Sequence, residues 1–93
     1  MSLMSVATGK AVNLSATGDV TTADCQLIGF YINSTSSGTM VLRRGGANGT
    51  AMCGTITPAI GYHAFPANCP GGLHHTEGGT DLNVTFFIVE GQC

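Results

Sequence analysis

The stretch "DLNVTFFIVE", residues 81–90, decides the fold. Successive side chains of an extended chain point to opposite faces. Leu82, Val84, Phe86 and Ile88 therefore share one side, and Asn83, Thr85, Phe87 and Val89 the other. The first set is wholly apolar. The second begins polar and ends apolar. A sheet covered on one side only would leave Phe87 in water, so both faces of this strand are expected to be covered, by a second layer or by a neighbouring subunit.

The same period of two recurs toward the N-terminus. "AVNLSA" (11–16) puts Val12 and Leu14 on one face. "CQLIGFYIN" (25–33) sets Ile28, Phe30 and Ile32 against Leu27, Gly29 and Tyr31. "TMVLRR" (39–44) turns Met40 and Leu42 inward and Val41 and Arg43 outward. "GTAMCGTITP" (49–58) ends at Pro58, which has no N–H for a ladder. "GYHAFP" (61–66) and "GLHHTE" (72–77) complete a set of seven with the closing strand. Between them lie "STSSGT", "RRGGANGT" with its Asn48-Gly49 hairpin signal, "PANCPGG" and "TEGGTD", which are loops by composition. Few windows hold the i, i+3, i+4 apolar stripe of a helix. The fold class that follows is all-β: a single small β-sandwich or jelly-roll-like domain over 11–93, preceded by a flexible N-terminal arm over 1–10.

Charge bounds the function. Charged residues make up 9% of the 93, against about 25% in an ordinary soluble domain, and the net charge is −2. Such a chain either clothes its surface in Ser, Thr, Asn and Gly or has that surface covered by other subunits; the charge deficit favours the second. Lys10, Arg43 and Arg44 are the only Lys and Arg residues, too few for a phosphate-neutralising stripe, so no nucleic-acid partner is expected. No apolar run approaches the about 20 residues of a membrane span, so no membrane partner is expected either. The first residues, "MSLMSVATGK", have neither a basic start nor a continuous apolar core. They do not read as a signal peptide. A protein folded in the cytoplasm, or a mature chain whose leader is gone, fits both observations.

Cys53, His63, Cys69, His74 and His75 crowd one quarter of the chain, separated by 9, 5, 4 and 0 residues. Structural zinc sites advertise ligands in pairs two to four residues apart, and no C-x-x-C or H-x-x-x-H occurs, so the pattern is weak for a metal. Adjacent His74 and His75 point to opposite faces of a strand, one toward the core or an interface and the other toward solvent. A Cys–His nucleophile would need an oriented base and a pocket, for which a small sandwich with five acids has little room. The chain is therefore expected to be no enzyme and to carry no cofactor or metal. His63 and Phe65 are expected to line the core or a subunit seam.

Four cysteines, Cys25, Cys53, Cys69 and Cys93, are disulfide candidates with three possible intrachain pairings. One or two bonds, at least one of them between chains, and fully reduced thiols are both open. Cys53 in its strand pattern reads as internal; Cys69 in a Pro/Gly loop and Cys93 at the end are placed to reach another chain. Four N-x-[ST] sequons, at Asn13, Asn33, Asn48 and Asn83, read as chance in so Asn- and Thr-rich a chain. Arg43 and Arg44 either anchor an acidic partner or are solvated edge charges. Phe87, Val89, Arg43, Arg44 and Tyr62 are the candidate interface residues.

"GFYINSTSSGTMVLRRGG", "GTITPAIGYHAFPANCPGGLH" and "GGTDLNVTFF" together resemble small β-rich proteins encoded among the head genes of tailed phages and prophages. The likeness runs from about Gly29 to Phe87. It rests on the Gly29-Phe30-Tyr31 strand opening, the segment Gly54 to Gly61 with Tyr62-His63 and Pro66, Gly72-Leu73, and Gly78-Gly79-Thr80. These are structural marks, and no active-site residue comes with them. The resemblance implies a capsid decoration or cement protein, made in the host cytoplasm and carried on the virion surface. Its partners would be itself, as a homo-oligomer such as a trimer, and the major capsid protein. The four cysteines look like an addition to that pattern and imply covalent cross-linking. Two rival classes stand beside it. A receptor- or glycan-binding tail or fibre module would use Tyr62, and a small Cys/His metal-binding domain would use the cluster above.

Overall fold

A computed structural model describes residues 9–35, 38–78 and 82–90 of the chain. Residues 1–8 of the expected arm, Ser36-Ser37, residues 79–81 and Cys93 lie outside them. Among the described residues eight strands form two four-stranded antiparallel sheets. They are β1 (Lys10–Leu14), β2 (Gly18–Thr21), β3 (Cys25–Thr35), β4 (Thr39–Arg44), β5 (Thr50–Ala51), β6 (Gly61–Cys69), β7 (Leu73–Gly78) and β8 (Leu82–Glu90). The first sheet runs β1-β8-β3-β6 and the second β2-β7-β4-β5. Their inner faces share one core, so the small all-β sandwich is the fold.

The alternation in β8 is as the sequence requires. Leu82, Val84, Phe86 and Ile88 are buried, while Asn83, Thr85, Phe87 and Val89 are half-exposed. Phe86 occupies the centre, its ring 6.0 Å from Phe30 of β3 and 5.3 Å from His75 of the opposite sheet. Met40, Leu42 and Leu73 close the core from the second sheet, with Val20 at its margin. Full burial of each such side chain contributes about 1.5–3 kcal/mol, so a small domain depends on all of them.

In β3 the expected alternation breaks. Leu27, Phe30 and Ile32 are inside, while Ile28 and Tyr31 are outside. The cause is a bulge. Leu27 pairs with Ile88 and Gly29 with Phe87, so β3 takes two steps where β8 takes one. On its other side, Leu27 pairs with Ala67 and Gly29 with Ala64, which leaves Phe65 and Pro66 of β6 opposite Ile28. An extra residue in an antiparallel pair shifts every later side chain by one face. Pro66, with no N–H to give, sits where edge strand and bulge both tolerate it.

Two other expectations are corrected. β2, "GDVT", falls in no expected strand, and Lys10 opens β1 instead of ending an arm. The strand expected over 49–58 shrinks to Thr50–Ala51. After a five-residue turn in which Gly45 and Gly46 have φ of 88° and 99°, the chain pairs at Arg44↔Thr50 and Arg43↔Ala51, adds one bond from Met52 N–H to the Leu42 carbonyl at 2.7 Å, and then leaves the ladder. It returns once, where Met40 and Ile56 exchange both backbone hydrogen bonds at 2.9 Å. The β6–β7 turn is tighter. Gly72 has φ of 107°, and a Cβ there would press into the Thr21 carbonyl oxygen and lie 3.0 Å from Thr22 Cα. Its N–H donates to the Cys69 carbonyl, and Gly71 N–H donates to Asp24 Oδ1 at 2.7 Å.

Candidate functional site: the outer face of the first sheet

The outward side chains of β1, β8, β3 and β6 form rows across the sheet. One row reads Asn13, Thr85, Tyr31, Tyr62, each the Cα partner of the next. The row above reads Ala11, Phe87, Gly29, Ala64. Gly29 has no side chain, and the Tyr62 ring lies diagonally over it to meet Phe87 at 6.1 Å between centroids. A Cβ at Gly29 would fall within contact distance of Tyr62 Oη and 2.6 Å from the His63 carbonyl oxygen. An aromatic ring laid over a strand glycine covers the backbone that the glycine leaves bare. Ile28 at the bulge, Tyr31, Tyr62 and nearby Ile60 remain 40%, 42%, 50% and 63% exposed. Single exposed apolar residues are ordinary, but several adjoining on one sheet face mark an interaction surface.

The other end of the same face is polar. Asn13 Nδ2 and Asn33 Nδ2 both donate to Asn83 Oδ1, at 2.8 and 3.2 Å, and both donate to Thr85 Oγ1, at 3.0 and 2.8 Å. Three of the four sequon asparagines are thus drawn into one network spanning β1, β8 and β3. A cavity of about 300 Å³ opens beside it, lined by Ser15, Ser34, Leu82 and Asn83. The face carries rings at one end, amides at the other, and very little charge. Its charges lie at the margin, where Glu90 accepts from Thr21 of the second sheet and meets Lys10 at 3.5 Å. Those partners, Thr21 first and then the Lys10 ammonium, hold the Glu90 carboxyl below its ordinary pKa.

The expected interface set divides between the two sheets. Tyr62, Phe87 and Val89 share the face just described. Arg43 and Arg44 are on β4 of the second sheet, Arg43 in an outer row Asp19, His74, Arg43, Ala51 and donating to the Gly49 carbonyl at 3.3 Å. Among the described residues no second layer covers Phe87, which is half-buried with the Tyr62 ring against it.

The Cys/His cluster is scattered by the fold. His63 Nε2 lies 2.8 Å from the Ala59 carbonyl, with its ring 5.4 Å from Phe30; Phe65 also packs on Phe30 at 6.3 Å. His75 faces the core with no exposed surface, its Nε2 on Glu77 Oε1 at 3.2 Å. His75 Nδ1 has no hydrogen-bond partner among the described residues. Burial pulls the His75 pKa below 6.5, and the hydrogen bond and charge of Glu77 oppose that only in part. His74 points the other way, as the strand period requires, but it does not meet solvent. It is 6% exposed, between Asp19 and Arg43 in its row, with Nδ1 2.7 Å from Asp19 Oδ1. Cys53 is half-buried in the loop after β5 and packs against the core. Cys69 is not on a loop open to another chain. It ends β6, fully buried, as the Cα partner of Cys25.

Among the described residues no three His, Cys, Asp or Glu side chains gather into a group able to hold a metal ion. Among the same residues no helix is long and apolar enough to cross a membrane. What sequence reasoning missed at the site is the Gly29–Tyr62–Phe87 stack and the amide network, because both depend on cross-strand register. Comparison with protein-family models, with curated proteins and with solved structures returns no match for this chain.

Proposed function

We propose that the chain is a structural subunit of a tailed-phage virion, decorating and bracing the outside of the capsid as a homo-oligomer, with a trimer the expected state. The outer face of the first sheet is its seam with other copies, and the major capsid protein is its second partner. The observation that carries the reading is the adjoining exposure of Ile28, Tyr31 and Tyr62 beside Phe87 on a face nearly free of charge. The deficit of charge along the whole sequence supports a like surface as the occupant, because two neutral faces meet without desolvating ions. The action is mechanical. At about 25 cal/mol per Å², a few hundred Å² of apolar contact per neighbour contributes several kcal/mol, and many neighbours act together.

Native mass spectrometry of the purified protein tests the seam, and binding to capsids stripped of accessory proteins tests the role. A trimer that dissociates when Tyr62 and Phe87 are both changed to Ser supports the reading. A wild-type monomer at roughly 50 μM, far above a micromolar dissociation constant, that also leaves stripped capsids unlabelled would sink it. A second reading, a glycan-binding tail or fibre module, is favoured by one feature. Tyr31 and Tyr62 lie in the same row as the amide-bonded Thr85 and Asn13, so rings and hydrogen-bonding groups adjoin as a sugar face requires. Retention on a glycan array by the isolated protein would promote it.

A further inference from the structure

The geometry points to an intrachain disulfide between Cys25 and Cys69, a covalent staple joining the first residue of β3 to the last residue of β6. The inference does not depend on the capsid reading. Three observations carry it. Cys25 and Cys69 are Cα partners in an antiparallel ladder, so their side chains leave the same face of the sheet. Directly opposed residues of such a pair have Cα atoms about 4.5 or 5.5 Å apart, according to whether they exchange backbone hydrogen bonds, and both spacings lie in the range a disulfide spans. Both residues are fully buried, so neither sulfur is open to another molecule. Cys69 Sγ sits further among soft neighbours, with Met52 Sδ at 3.9 Å.

The pair can also be reached by an oxidant. Among the described residues β6 is an edge strand, hydrogen-bonded to β3 and to no other strand. The pair stands at the end of that ladder, next to the Pro70-Gly71-Gly72 turn. Opening the last residues of β6 breaks few bonds and exposes both sulfurs while the rest of the sandwich stays closed. With glutathione disulfide as the oxidant, one cysteine loses its proton and its thiolate attacks a sulfur of glutathione disulfide, releasing one glutathione thiolate. The second cysteine, also deprotonated, then attacks the protein sulfur of that mixed disulfide. The Sγ–Sγ bond forms and the second glutathione leaves. Two protein thiols become one disulfide, one glutathione disulfide becomes two glutathiones, and the two protons pass to the thiolates released. The bond closes the loop from residue 25 to residue 69 and ties down the strand that carries Tyr62. It leaves Cys53 and Cys93 outside the bond.

The test uses the full chain with Cys53→Ser and Cys93→Ser, so that only Cys25 and Cys69 remain. It is equilibrated in glutathione and glutathione disulfide, denatured in iodoacetamide and weighed. The expected product has lost two hydrogens, takes up no alkyl group, and after trypsin holds peptide 11–43 joined to peptide 45–93. Two alkylated thiols in the folded, oxidised sample would overturn the inference. If the double variant fails to give a β-type circular dichroism spectrum, the wild-type chain is mapped with trypsin and chymotrypsin, which cuts after Tyr62 and separates Cys53 from Cys69. A Cys25–Cys69 cross-linked peptide supports the staple there, and Cys25 joined to Cys53 or Cys93, or joined to nothing, overturns it.

Discussion

Lowering the pH from about 7.5 to about 5.5 is expected to destabilise the folded chain, with the loss traceable to His75. The ring has no exposed surface, one nitrogen on Glu77 and the other facing no partner. Protonation would place an N–H at Nδ1 with nothing to accept it, inside an apolar core under Phe86. The titratable groups near it are Glu77 on its own face of β7, and His74 with Asp19 of β2 on the far face. Burial lowers the folded-state pKa below 6.5 in spite of Glu77. The unfolded chain therefore takes up the proton first as pH falls. The stability is whole above the unfolded value and drains away between 6.5 and the lower folded value. One proton corresponds to at most about 1.4 kcal/mol per pH unit within that window. For a domain of this size that bounds the fall in Tm by pH 5.5 at about 11 °C. Thermal melts followed by circular dichroism across the range read it directly. His75→Gln keeps an amide donor for Glu77 and cannot titrate, so its Tm should fall much less over the same interval. A wild-type Tm that stays level to about pH 5.5, or a variant that falls as steeply as wild type, would refute the argument.

Gly29→Ala should lower the urea-unfolding free energy by about 1–3 kcal/mol, the usual cost of forcing extra volume into a packed place. Adding Tyr62→Ala should restore only part of it, because the His63 carbonyl, 2.6 Å from the new Cβ, stays where it is. Phe86→Ala should cost about 3–5 kcal/mol, enough to leave a domain of marginal stability largely unfolded at 37 °C, as one-dimensional proton NMR would show. Gly72→Ala should be destabilising by over about 1 kcal/mol in a denaturant titration, since it meets both a positive φ and the Thr21–Thr22 backbone.

The closing strand was legible because its period of two is uninterrupted and its inner set is wholly apolar. Met40 and Leu42 were legible for the same reason. β2 was not, because "GDVT" offers a single apolar residue between turn-forming neighbours and takes its strand form from pairing with β7. Residues 49–58 look like a strand by alternation, yet nothing local records that the chain quits the ladder after Ala51. The bulge at Ile28 is invisible for a related reason: alternation read from one strand cannot count the residues its partners use. At the candidate site, the outward Phe87 could be read from the pattern, while Tyr62 reaching it over Gly29 required knowing that Gly29 pairs with Ala64 on one side and Phe87 on the other. Cys69 misled because its Pro-Gly-Gly sequel reads as open loop, although the turn begins only after it.

Pro66 bears on how these molecules can accumulate. A nine-residue edge strand is an invitation to add another strand, and chains that accept it grow into fibres without limit. A residue with no N–H, seated opposite a bulge in the middle of that edge, removes one rung and bends the rail on which the next molecule would be laid. Growth along the hydrogen-bonding direction is discouraged there, and contact through flat faces is left open. A chain so short of repelling charge can then be made at high local concentration with less danger of running to amyloid.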